Sequence, residues 1–267
     1  MLLHHCPWDP NHIESPARLG RIWSRCGELG LVDRCTLVPP REASDDEVLL
    51  FHTPAFVKVL EDSRLQTAEE AEKVCENYDA IYLCPDTAAA ARLSAGAAVD
   101  LVEKVLSGEI HCGLGLVRPP GHHAMTEELN GFCGYNNVVV AAKKAINAGV
   151  EKILIVDFDL HHGQGTQRAF YEDPRVLYMS VHRYEDGEFW PHLRESNFDY
   201  VGDGAGRGFN VNLPLNVLGC GNSEYLAIFQ RLFLPIATEY NPELVIISAG
   251  RQLEKASIIF QIIDQNY

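Results

Sequence analysis

Five short, nearly unbroken apolar runs constrain this chain more than any other feature: LGLV at 114–117, ILIV at 153–156, VLYM at 176–179, FNVNL at 209–213 and LVIIS at 244–248. A strand covered by helices on both faces has no solvent side, so it reads as a continuous apolar run instead of an alternating one. Helical stretches fall between the runs. Residues 16–29 open with Pro16 near the first helical position and end at Gly30, and residues 86–106, rich in Ala and Leu, start at Asp86, a residue type suited to the N-cap. Residues 137–148 stop before Gly149, and residues 222–240 start at Asn222 and stop before Pro242. The alternation predicts an α/β fold with a single, largely parallel sheet between helices. With 267 residues, 46% of them hydrophobic and 22% charged, the chain has enough apolar material for one such domain.

The formal net charge of −15 argues against direct binding to nucleic acid or to anionic membranes, and it is compatible with a cationic substrate such as a lysine-rich segment. Eight scattered cysteines contain no CxxC pair, which excludes a zinc ribbon and a disulfide framework. MLLHHCPWDP has no signal-peptide apolar region, and the longest apolar runs are far short of a bilayer span. These features predict an intracellular protein, cytoplasmic and/or nuclear, with reduced thiols. There is no internal repeat, low-complexity tract or linker. GDGAGRG (202–208) lies between two strand-like segments with no helix directly after it, so it reads as a loop and not as a phosphate cradle.

Three constellations follow strand ends, where open α/β sheets collect their ligand sites. In DFDLHHGQGTQ (157–167), Asp159 and His161 alternate along extended chain, so both approach one point past the run at 153–156. A carboxylate and an imidazole suit zinc or another first-row divalent ion, with Asp157 orienting a histidine behind them. The plainer reading is that these acids cap or solvate a loop. RPPGHHA (118–124) places two adjacent histidines behind a rigid turn, as an acid/base pair or as a surface turn that happens to carry them. GFCGYNN (131–137) and HRYEDGEFWP (182–191) offer Phe132, Phe189 and Trp190, either as walls of a narrow slot for an aliphatic chain or as ordinary packing.

Together these segments resemble the zinc-dependent histone deacetylase family, class II branch. RPPGHHA, GFCGYNN, ILIVDFDLHHGQGTQ, VLYMSVHRYEDGEFWP, GFNVNLPLN and PELVIISAG occur in the family's order. HHCPWD, ESPAR and NYDAIYLCP also resemble it, and the similarity runs over nearly the whole chain. FWPHLRES resembles the class IIb members of the tubulin- and polyamine-deacetylase types. The resemblance implies an arginase/deacetylase-like fold and zinc-dependent hydrolysis of acetyl-lysine amides. It makes Asp159 and His161 zinc ligands, His123 the general base, His122 its partner oriented by Asp157, and Gln164 the amide beside the second histidine. Phe132, Trp190 (in place of the commoner Phe), Gly131 and Arg18 match the substrate channel. Asp157, Asp159, His161, Ser180 and Val181 match a monovalent-cation site, here for K+. The implied substrates are histone tails or tubulin, in a larger multidomain or corepressor setting.

The pattern departs from the family after SAG (248–250). The family continues with Phe-Asp, the Asp being its third zinc ligand, whereas this chain reads Arg251-Gln252 and matches nothing from there. The segment with the family's transition-state tyrosine is also absent. Residues 1–250 therefore read as an incomplete deacetylase domain and 251–267 as a divergent tail, the mark of a truncated or spliced product or a misjudged gene model. A catalytic zinc normally has three protein ligands, so the expectation is a weakened site. Two other readings follow: a non-catalytic remnant that acts as a binding module or decoy, and an amidohydrolase for acetylated polyamines.

Overall fold

Each apolar run forms a strand in the computed structural model, which describes residues 1–250 and the backbone of 259–264. The strands are β1 (Cys112–Leu116), β2 (Ile153–Asp157), β3 (Val176–Arg183), β4 (Asn210–Leu215), β5 (Leu244–Ala249) and β6 (Ile259–Asp264). They make one sheet in the order β1-β6-β5-β2-β3-β4. β5, β2, β3 and β4 are mutually parallel, while β6 runs antiparallel to both β5 and β1. The backbone of the tail thus occupies the slot between β1 and β5 and pairs both of their facing edges.

Around the sheet lie α1 (Pro16–Glu28), α2 (Asp45–Val48), α3 (Pro54–Asp62), α4 (Ala68–Cys75), α5 (Thr87–Leu106), α6 (Asn137–Asn147), α7 (Gln164–Phe170), α8 (Asn222–Ile228) and α9 (Leu234–Tyr240). Alternation along β2 shows why its sequence is apolar throughout. Ile153 and Ile155 pack with α5 and α6, while Leu154 and Val156 pack with the α8–α9 layer. A third cluster of Phe56, Leu60, Leu83, Leu129 and Tyr135 joins α3 and α4 to the loops that carry the tandem histidines.

Two helix boundaries differ from the sequence reading. Asp86 precedes α5, but its side chain makes no cap bond. The stretch read as one helix over 222–240 contains a π-helical turn at Phe229–Phe233 between α8 and α9. Pro235 accounts for it, because proline brings no N–H and crowds the carbonyl of the preceding turn. Asn241, in the left-handed region at φ 51°, then ends α9 ahead of Pro242.

Candidate active site

The loops that leave the C-terminal ends of β1, β2 and β3 converge. β2 ends at Asp157, whose side chain is fully buried and accepts a hydrogen bond from Tyr178 Oη at 3.2 Å. Its Oδ2 lies 2.9 Å from His122 Nδ1, and its Oδ1 receives the Asp159 backbone N–H at 3.1 Å. That last bond folds the chain back so that Asp159 and His161 face one point. Asp159 Oδ1 accepts the His161 backbone N–H at 2.7 Å and lies 3.3 Å from His161 Nδ1. His122 Nε2 is 3.9 Å from the same oxygen. Donor atoms of His122, His123 and Asp159 all lie within 4.8 Å of one another.

These contacts set the charges. His122 is held above the ordinary histidine range: burial opposes its charge, but the Asp157 carboxylate outweighs burial. His123 is pushed well below that range, first by burial and then by repulsion from His122 and His161, and so stays neutral. Its Nδ1 faces Gln164 Oε1 at 2.7 Å. An amide oxygen accepts only, so Nδ1 carries the proton and Nε2 keeps a free lone pair. Burial works against the charge of Asp159, yet His161, His122 and His123 hold its carboxyl well below the usual range.

Donor chemistry tests whether a zinc ion fits. Two ligand atoms each about 2.1 Å from a tetrahedral ion stand roughly 3.4 Å apart. The Asp159 Oδ1–His161 Nδ1 separation of 3.3 Å matches this spacing, and an ionised carboxylate beside an imidazole suits the metal. Asp159 Oδ2 lies against Gly250, where an added Cβ would fall 1.8 Å from that oxygen, so no larger residue fits there. The departure at Arg251-Gln252 lies outside the described residues. For the monovalent-cation set, register places Asp157 opposite Ser180, with Val181 next along β3. Ser180 and Val181 are fully buried, and Ser180 Oγ lies 2.8 Å from His182 Nδ1.

Aromatic rings wall the cluster. Phe189 stacks on His161, with ring centroids 5.0 Å apart and planes at 16°. Trp190 meets His123 edge-on at 4.6 Å, and its indole N–H donates to Asp79 Oδ2 at 2.7 Å. Gly131, at φ 55°, lies between them, and an added Cβ there would come 2.4 Å from the His123 ring and 2.7 Å from Trp190. Phe132, next in chain, has φ 64° and turns its ring toward His12. Arg18 sits farther back, 3.5 Å from Glu14 Oε1. Glu14 is buried and gripped by Arg118 through two bonds of 2.8 and 2.7 Å, and Tyr82 also donates to it. Arg118 immediately precedes the turn into the tandem histidines, so this ionic knot is their foundation. Sequence reasoning gave no role to Glu14, Tyr82, Asp79 or His12. Each is a lone polar or aromatic residue whose partner lies far along the chain, so spacing carried no signal.

An Asp/His donor pair and a neutral histidine at the carboxyl ends of parallel strands define an α/β protein of the arginase/deacetylase architecture. The chain belongs to the histone deacetylase domain family, whose match covers residues 12–255. It is 49% identical over 246 residues to the polyamine deacetylase HDAC10 of Rattus norvegicus, covering 91% of this chain and 42% of that protein. It is 43% identical to histone deacetylase 6 of Caenorhabditis elegans, covering 90% of this chain and 25% of that protein. The crystal structure of the HDA15 HD domain superposes with a TM-score of 0.85 at 38% identity, covering 93% of this chain and 70% of that one. The chain thus spans less than half the length of these two full-length relatives.

Proposed function

We propose that the site performs zinc-dependent hydrolysis of an acetyl amide on a primary amine. The observation that carries this reading is the Asp159–His161 donor pair, spaced at 3.3 Å, beside a neutral His123 with Nε2 free. Asp159 and His161 would hold the zinc, which when bound polarises the amide carbonyl and acidifies the attacking water. His123 Nε2 takes a proton from that water and returns it to the departing amine. His122, whose protonated form the Asp157 carboxylate favours, would stabilise negative charge developing on the amide oxygen. Trp190, Phe189 and Phe132 thread an aliphatic stem past Gly131 and keep bulk water out. K+ held around Asp157, Asp159, His161, Ser180 and Val181 would stiffen the loop beneath the zinc ligands.

Acetyl-lysine in histone tails or tubulin is the substrate reading, for a protein acting in the cytoplasm and/or nucleus within a larger multidomain or corepressor assembly. Acetylated polyamine is the alternative, favoured by the 49% identity to a relative named for that substrate. The acidic chain, at −15, suits either cation. A non-catalytic role is favoured by one residue, Gln252, where the family resemblance calls for an aspartate. Turnover of an acetyl-lysine peptide and of an acetylated diamine by the zinc-loaded chain separates the three. Turnover lost in His123→Ala supports hydrolysis at this site. Zinc binding without turnover of either substrate would overturn hydrolysis in favour of the binding role.

A further inference from the structure

Four rings stand in file from the N-terminal segment to Phe132, the residue that follows Gly131. His4 stacks on Tyr82, with centroids 4.6 Å apart and planes at 20°. His12 meets Tyr82 edge-on at 4.7 Å and 71°, and Phe132 meets His12 edge-on at 5.0 Å and 86°. The inner end is anchored, because Tyr82 donates to Glu14 and Arg118 grips the same carboxylate. His12 is anchored as well: its backbone N–H donates to Asp9 O at 3.2 Å, and its Nδ1 receives the Glu14 backbone N–H at 3.1 Å.

Phe132 is the strained member of the file. Its φ of 64° is one that non-glycine residues rarely adopt. Such a conformation persists only where surrounding contacts over-determine it. Its backbone N–H is tied to Ala80 O at 2.7 Å, and its ring is met by His12 at nearly a right angle, a geometry aromatic pairs favour.

We propose that His12 is a positioning residue that holds the Phe132 ring at the channel and so sets how tightly the aliphatic stem of the substrate is gripped. The inference rests on the deacetylase reading above and extends it to a residue that acts through Phe132. Because the chemistry belongs to other groups, losing the His12 ring weakens substrate binding and leaves the rate of the bound complex in place.

Three variants of the zinc-loaded chain separate the ring from its hydrogen bond. His12→Asn keeps an acceptor for the Glu14 N–H without a ring, His12→Phe keeps a ring without the acceptor, and His12→Ala keeps neither. The expected result is a KM raised about five- to tenfold in His12→Asn and His12→Ala, kcat within about twofold, and near-normal KM in His12→Phe. Amide exchange at Phe132 should follow the same order, fast in Asn and Ala and slow in Phe. Normal KM and normal exchange in His12→Asn would overturn the proposal, as would a loss confined to His12→Phe. If the parent chain binds zinc but turns over nothing, the deacetylase reading fails and Phe132 exchange alone decides the role of His12.

Discussion

In the proposed reaction His123 would serve as the base, because its surroundings deny it a charge and fix where its proton sits. The Gln164 carbonyl holds Nδ1–H, and burial with two neighbouring imidazoles keeps the ring neutral. Gly131 leaves the room for this, so Gly131→Ala should drive the ring off position and lower kcat about 100-fold with an unchanged circular dichroism spectrum. A normal kcat would show that His123 tolerates displacement. His52 makes a separate prediction about pH. Its Nδ1 donates to Met125 O at 3.0 Å, its Nε2 accepts the Asn136 N–H at 2.9 Å, and burial lowers its pKa to about 3. The unfolded chain takes up this proton near pH 6.5 and the folded one does not, so stability falls as pH drops from about 6.5 toward 3. His52→Gln should remove that one-proton slope in urea unfolding measured across this range. Asp157, Asp159, His161 and the histidine pair were legible because they follow strand runs at short spacing. Glu14 and His12 were not, because their partners Arg118 and Phe132 stand more than a hundred residues away.

Helix ends and strand ends carry the next level of organisation. α2 is short, yet it is fixed by a capping box in which Glu47 accepts from the Ser44 N–H at 2.8 Å and Ser44 Oγ accepts from the Glu47 N–H at 3.3 Å. Arg41 adds two bonds of 2.8 Å to the same carboxylate and one of 2.7 Å to Asp100 on α5, stapling residues 41–48 to that helix. With Arg41 as the main cause, the Glu47 pKa falls to about 2. A depressed carboxyl stabilises the fold above its unfolded pKa and loses that contribution as pH falls through the folded one. Glu47→Gln should therefore cost about 1–2 kcal/mol at pH 7, after allowance for the exposed side of Arg41, and much less near pH 2. Chemical denaturation at the two pH values checks this, and an equal cost at both would contradict it. All five apolar runs became strands; β2, β3 and the first half of β5 are buried on both faces, which leaves the unbroken signature, whereas β1 is largely exposed, with Leu114 52% exposed. The π turn at Phe229–Phe233 was hidden, since its cause is the place of Pro235 within a helix that otherwise reads as continuous.

At the scale of the whole molecule, the sheet is completed by residues that sequence comparison set aside. The β6 backbone pairs Ile262 with Gly113 on one side and with Ile246 on the other. Ile262→Pro removes a ladder donor from an interior strand, and it should cost about 3 kcal/mol or more and shift the chain toward aggregates in size-exclusion chromatography. A monomeric variant of unchanged melting temperature would contradict the pairing. The tail had no family pattern to betray this role, because strand pairing uses backbone groups that any sequence of suitable propensity provides. At the point on which β1, β2 and β3 converge, the proposed reaction has Asp159 and His161 holding the zinc and His123 transferring the proton. Metal content of the purified chain and its variants, read together with turnover, tests it most directly. One zinc per chain, lost in Asp159→Asn and His161→Ala and retained without turnover in His123→Ala, is the predicted result. Zinc content indifferent to Asp159 and His161 would contradict it.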